Sequence, residues 1–229
     1  MCGRATIIDP DGVERIGIEF SRRFLPSDWK RPRYNIRPTE DLPVARVGDD
    51  GELELTLLRW GLIPSWAKEP SLKFPTFNAR ADTVADKPTY RGPFRSRRCA
   101  IIVDGFYEWP KKPSRDRRPR HVRFADRRPF ALAGLWDRWT DPVTGVRVET
   151  CTIITTDANA LLASVPHDRM PVILDEDARR VWLRAGAVPR AELEAVLVPR
   201  ATDDMELVIT SDAFVNHGVD DARCVEPVE

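Results

Sequence analysis

Apolar residues along this chain fall mostly in short runs rather than at helical spacing. Segments 2–8, 53–60, 99–103, 121–124, 129–136, 146–155 and 205–209 are rich in β-branched or aromatic residues. Gly, Pro or Asp bounds each of them, so each reads as a strand. Segments 122–124 and 130–135 are separated by Ala125-Asp126-Arg127-Arg128, which predicts a hairpin turn. Helical patterns are fewer. Segment 11–20 is amphipathic, segment 175–185 opens on a capping Asp175 and ends at Gly186, and segment 189–198 opens with Pro189 in its first turn. Runs of strands with helices inserted, and no strict βαβα alternation, predict an α+β fold with mostly antiparallel pairing.

Composition sharpens this picture in three places. With 229 residues, 42% apolar and 31% charged, the chain is an ordinary globular one that can bury a core without disulfide or metal staples. The 20 prolines are spread along it rather than gathered in a linker, and no repeat is visible, so one domain over 1–229 is expected. Lys+Arg and Asp+Glu are both 36, which argues against non-specific coating of nucleic acid. The neutral total hides an uneven distribution. Residues 91–128 carry 13 basic and 4 acidic side chains, and residues 201–229 carry 8 acidic and 1 basic. Within the basic stretch, 111–120 (KKPSRDRRPR) reads either as a solvated loop or as a phosphate-contacting one. No apolar run reaches the ~18 residues of a membrane span, and MCGRATIIDP lacks a secretory pattern. A monomeric cytoplasmic protein with reduced thiols is expected. Its four cysteines and three histidines show no metal-ligand spacing, so no metal and no cofactor are expected.

The candidate chemistry begins at Cys2. Removal of Met1 would place a free α-amine (pKa ~7.7–8.0) and a thiol (~8.5) on one residue. Such a 1,2-aminothiol condenses with an aldehyde to a Schiff base, and the thiol then closes a five-membered thiazolidine. The bland reading of Cys2 is a small buried hydrophobe. Asn78 offers a donor and an acceptor, and Arg80 a guanidinium suited to phosphate. Glu108, flanked by Tyr107 and Trp109 after a β-rich run, sits where desolvation could tune a proton-shuttling carboxyl. His167 lies in a Pro-bracketed loop, with Arg169 on the same side if the segment is extended. Trp66, in a Pro-rich irregular stretch, could be a platform for an unstacked base. His121 and His217 read as surface or structural residues, and Cys99, Cys151 and Cys224 as inert.

The order of these motifs is more telling than any one of them. MCGR at the start, YNIRPT at 34–39, RWGLIPSW at 59–66, FNARADT at 77–83 and RRCAIIVDGFYEW at 97–109 come first. FALAGLWD at 130–137, TIITTDAN at 152–159 and PHDRMPVIL at 166–174 follow. The sequence resembles the SRAP family of abasic-site processing proteins, in motifs over about residues 1–174 and more loosely through VITSDAFVN and CVEP. The resemblance implies barrel-like curved sheets with a few flanking helices. It also implies binding of single-stranded DNA and strand junctions, and a stable thiazolidine crosslink between Cys2 and the ring-opened abasic sugar. Autoproteolytic loss of Met1 and an abasic-site lyase activity belong to the same expectation. Carried over by residue, Cys2 is the nucleophile, Asn78 orients it and the sugar, and Glu108 and His167 move protons. Arg4, Arg80 and Arg169 fall at phosphate contacts, and Trp66 and Trp109 at base contacts. Asn35, Pro38 and Thr155 complete the DNA-binding set. Asp82 stands where the family usually has Glu, and Arg37 where a small residue is usual. Two other readings compete. An N-terminal-nucleophile glutamine amidotransferase also begins Met-Cys-Gly, and a non-catalytic single-strand-binding adaptor would use the same arginines and tryptophans.

Overall fold

The structure, a computed structural model, describes residues 2–18, 25–26, 29–111 and 114–228. In chain order the first elements are β1 (Ala5–Ile7), α1 (Pro10–Ile18), β2 (Arg33–Ile36), β3 (Asp41–Val47), β4 (Leu53–Trp60), β5 (Asn78–Arg80) and α2 (Arg91–Ser96). Then come β6 (Arg98–Val103), β7 (Gly105–Glu108), β8 (Arg120–Phe124), β9 (Phe130–Thr140) and β10 (Arg147–Asp157). The last are α3 (Ala160–Ala163), β11 (Arg169–Pro171), β12 (Ile173–Leu174), α4 (Glu176–Trp182), α5 (Arg190–Ala195), β13 (Met205–Ile209) and α6 (Asp212–Val215). The expected α+β class holds. The expected helix 11–20 is α1, and its residues 19 and 20 lie outside the described residues.

Strands β10, β4, β3, β6 and β9 pair in that order, and β9 pairs back to β10, so they close a five-stranded barrel. The β10–β4 pairing is parallel and the other four are antiparallel. Closure leaves the barrel no free edge. A second, all-antiparallel sheet runs β13-β8-β7-β1-β2. Strand β6 is buried at every position because its outer face is also covered: Trp182 of α4 donates its indole N–H to the Cys99 carbonyl at 2.9 Å. This explains its unbroken apolar run. Strand β3 has no strand signal of its own in the sequence, since Pro43 interrupts its pattern. Pro43 lies outside the rungs to β6, which join only Val44–Arg46, so its missing N–H costs nothing on that side.

The predicted hairpin at 125–128 does not form. β8 pairs with β7 and β13, whereas β9 pairs with β6, β10 and β12. The turn instead carries the chain from one sheet to the other, with Arg127 at φ 61. A second crossing lies between β6 and β7, where Asp104 alone separates barrel from sheet. Its carboxylate accepts from the Thr6 hydroxyl at 2.6 Å, from Asp9 N–H at 2.8 Å and from Ile8 N–H. Next to it, Gly105 must be glycine: a Cβ there would sit 2.2 Å from His121 Nε2.

His121 is buried completely rather than placed at the surface, with Nε2 3.1 Å from the Thr6 hydroxyl. Burial pushes its imidazole down from 6.5 to about 3, with Arg123 and Arg127 adding repulsion. The unfolded chain therefore gains a proton in a range where the folded chain does not, and stability falls as pH drops from about 6.5 toward 3. Each unit costs about 1.4 kcal/mol. Urea unfolding between pH 7 and pH 4 should show this decline, and His121→Gln should flatten it. Equal slopes in the two proteins would exclude His121 as the cause.

Two ion pairs tie the basic stretch to the acidic tail, and several of its other cations pair with nearby carboxylates. Arg123 pairs with Glu206 at 2.6 Å across β8 and β13, and Arg128 pairs with Asp204 at 2.5 Å. Arg120 and Arg118 share Asp116, Arg97 takes Asp137, and Lys111 takes Asp168. Of the 111–120 loop, Lys112 and Pro113 lie outside the described residues. Its Arg115 and Arg117 stay exposed without a carboxylate partner among the described residues, as do Arg91 and Arg95 of α2.

Candidate active site

The seam between barrel and sheet gathers residues from distant parts of the chain. Cys2 precedes β1 rather than lying within it, and its side chain is wholly buried. Strand β1 pairs with β7, with Ala5 opposite Phe106, and Tyr107 N–H donates to the Arg4 carbonyl at 3.0 Å. The same register brings Glu108, the last residue of β7, beside the start of the chain. Strand β5 comes from the barrel side, parallel to β10 with Asn78 opposite Ile153. Asn78 bridges the two sheets: its Nδ2 donates to the Cys2 carbonyl at 2.7 Å. Its Oδ1 is buried with no partner among the described residues, which leaves an acceptor facing the site. Tyr90, which the sequence did not single out, donates its hydroxyl to the Asn78 carbonyl at 3.2 Å. No local pattern could have flagged it, because an irregular stretch separates the two.

His167 arrives on the loop before β11. Lys111 N–H donates to the Pro166 carbonyl at 2.8 Å and Ala158 N–H to the Asp168 carbonyl at 3.1 Å, so the loop is pinned on both flanks. His167 Nε2 lies 2.9 Å from Glu108 Oε2, and both side chains are 2% exposed. On the other side of the ring, Nδ1 is 2.7 Å from the Arg169 carbonyl, which can only accept. A proton therefore belongs on Nδ1, and the Glu108–His167 contact holds one more between ring and carboxyl. Burial pushes the Cys2 thiol well up, and the nearby Glu108 charge raises it further. A resident thiolate is thus disfavoured beside this pair.

The remaining predicted residues divide by exposure. Trp66 is 59% exposed beside a groove of about 450 Å³ that Arg91, Arg95 and Arg97 also line. Arg80 is exposed and chelated by Asp82, at 3.1 and 2.6 Å. The shorter Asp82 carboxylate thus still reaches its arginine, which holds it below the usual carboxylate range. Trp109 and Pro38 are half-buried. Arg169 is buried, bonded to the Thr155 backbone and to Asp157 at 3.2 Å, while the buried Thr155 hydroxyl donates to the Ala79 carbonyl at 3.2 Å. Asn35 is 1% exposed, and its amide donates to the Val215 and Val219 carbonyls at 3.0 and 2.7 Å. Its side chain is engaged in holding the C-terminal segment. Among the described residues no group of three or more His, Cys, Asp or Glu could hold a metal, and no helix is long and apolar enough to cross a membrane.

The closed mixed barrel joined to an antiparallel sheet is a fold with solved members. A crystal structure of a protein from Bacteroides thetaiotaomicron matches with a TM-score of 0.84 and 26% identity over 100% of both chains. The model of the SOS response associated peptidase (SRAP) family matches residues 1–217, and the chain belongs to that family. It is 38% identical over 208 residues to the abasic site processing protein YoqW of Bacillus subtilis, covering 90% of each chain. It is 34% identical over 238 residues to the abasic site processing protein HMCES of Xenopus tropicalis, covering 87% of this chain and 70% of that one.

Proposed function

We propose that this protein processes abasic sites in single-stranded DNA by trapping the ring-opened sugar aldehyde on Cys2 as a thiazolidine. The observation that carries this reading is the convergence of Cys2, Asn78, Glu108 and His167 at one seam, with Glu108 and His167 2.9 Å apart and Asn78 2.7 Å from the Cys2 carbonyl. Met1, which lies outside the described residues, must leave first to free the α-amine.

The burial of the thiol sets the order of events. The amine attacks C1′ of the aldehyde first, giving a carbinolamine. Loss of water then gives the imine, and the proton held between Glu108 and His167 is placed to help hydroxide leave. The thiol adds last: its sulfur bonds C1′ and its proton passes to the imine nitrogen. The product weighs the two reactants less one water. Asn78 fixes the Cys2 backbone during these steps, so the two nucleophilic atoms stay near one carbon. Removal of Met1 by this same site, and strand cleavage from the imine before the thiol adds, are further reactions that this arrangement supports.

Intact-protein mass spectrometry tests the reading. Wild-type protein is weighed before and after incubation with a uracil-glycosylase-treated single-stranded oligonucleotide. The first mass should lack methionine, and the second should gain the oligonucleotide less one water in a heat-stable form. A protein without Met1 that forms no such adduct refutes the proposal.

DNA binding should depend on salt despite the zero net charge. Arg4, Arg91 and Arg95 make no hydrogen bond to a carboxylate among the described residues. Three phosphate contacts on a single strand give a slope of log K against log salt of about −2. A flat response in a fluorescence-anisotropy titration would remove these arginines from the interface.

A further inference from the structure

Strands β1 and β2 bring two arginines face to face. Ala5 pairs with Ile36 in an antiparallel register, so one step outward places Arg4 opposite Arg37 on the same face. Like charges directly opposite in a sheet repel. No carboxylate side chain hydrogen-bonds to either guanidinium among the described residues. Arg4 Nη1 donates only to the Gly3 carbonyl, at 3.3 Å, and its Nε is buried without a partner. Glu40, the acid that acts on Arg4, is already engaged: Oε1 by Arg33 Nη2 at 2.6 Å and Oε2 by the Arg37 backbone N–H at 2.7 Å. Burial and Arg37 lower the pKa of Arg4, and Glu40 offsets this only in part.

The chain turns immediately after Arg37. Residues 37–40 form a turn closed by Glu40 N–H donating to the Arg37 carbonyl at 3.1 Å. Thr39 in that turn has φ 81, a left-handed conformation that a β-branched residue rarely adopts, and its N–H is anchored on the Trp60 carbonyl at 2.7 Å. The Arg37 guanidinium lies against Gly218, where an added Cβ would meet Nη2 at 2.6 Å. The side chain is thus seated close to a second arginine.

We propose that Arg4 and Arg37 form a clamp for one phosphodiester of the DNA strand, next to the sugar that Cys2 engages. The proposal rests on the reading of Cys2 given above for its placement beside the lesion. A phosphodiester carries a single negative charge and two free oxygens, which suits two guanidinium groups converging from one face. It would relieve the repulsion and satisfy Arg4 Nε together. Arg37 then becomes a positioning residue for the reactive sugar.

The test separates binding from chemistry. Affinity is measured on a single strand containing a tetrahydrofuran abasic analogue, which has no aldehyde. Arg37→Gln should weaken binding about tenfold, and Arg37→Lys should restore most of it. One neutral methylphosphonate linkage is then moved along the strand. At a single position beside the lesion it should cost wild type about tenfold and Arg37→Gln almost nothing. Equal affinity of Arg37→Gln and wild type overturns the clamp. So does a loss that Lys does not rescue, or a variant that keeps the wild-type response at every linkage. Trapping is scored separately with the aldehyde strand. A wild type that binds the analogue through Arg37 but never traps leaves the clamp standing and refutes the crosslink.

Discussion

Cys2→Ala should give no heat-stable adduct with an abasic strand, under conditions where wild type converts most of it. On the proposed route the Cys2 sulfur closes the ring, and an imine alone hydrolyses on heating. The α-amine survives in the variant once Met1 is removed. Borohydride should therefore still capture an imine between Cys2→Ala and the aldehyde, and this adduct should appear only with reductant. The fold should tolerate the change, since a buried cysteine acts as a small hydrophobe and alanine leaves only a small void. Affinity for the tetrahydrofuran strand should stay within a few-fold of wild type. A heat-stable adduct in Cys2→Ala would place the nucleophile elsewhere. Loss of the borohydride adduct as well, with binding intact, would exclude the amine-first order. Release of ammonia from glutamine by wild type would instead support the glutaminase chemistry that a Met-Cys-Gly start also allows.

Glu108→Gln should slow trapping by about 10²–10⁴-fold with little effect on binding. The substitution keeps shape and volume in a site that is almost wholly buried. It removes the acid that shares a proton with His167 and leaves the carbinolamine without an assisted exit for hydroxide. The diagnostic is the order of appearance: single-turnover kinetics should show the borohydride-sensitive species forming late, and the heat-stable species following without further lag. A rate within threefold of wild type, in a protein of unchanged melting temperature, would remove Glu108 from the chemistry.

Local patterns were readable where one segment carries its own reason. Asp175 caps α4 by accepting from Ala178 N–H at 2.8 Å, as its place before an apolar-periodic run predicts. The strand 205–209 appears at those same limits as β13. Partner choice was not readable. A short polar turn between two β-rich segments suits a hairpin, yet residues 125–128 link different sheets, because the apolar faces of β8 and β9 pack in separate ladders. Strand β5 is only Asn78–Arg80, too short for alternation to show, and it exists because β10 supplies parallel rungs. Asn35, which the resemblance places among the DNA contacts, has its amide tied to the C-terminal segment, a contact that no local pattern announces.

By itself the sequence determined the chemistry on offer: a cysteine at position 2, a carboxyl and an imidazole in defined local settings, and the family to which their order belongs. Residue identity sets reactivity, and motif order is a property of the chain. Tertiary structure decided which groups meet. It set Glu108 against His167, tied Asn78 to Cys2 and buried the thiol. It paired Arg123 and Arg128 of the basic stretch with the acidic tail and brought Arg37 close enough to Arg4 to act on its charge. Charge and burial act through distance in space, and closure of the barrel against the second sheet is what sets those distances.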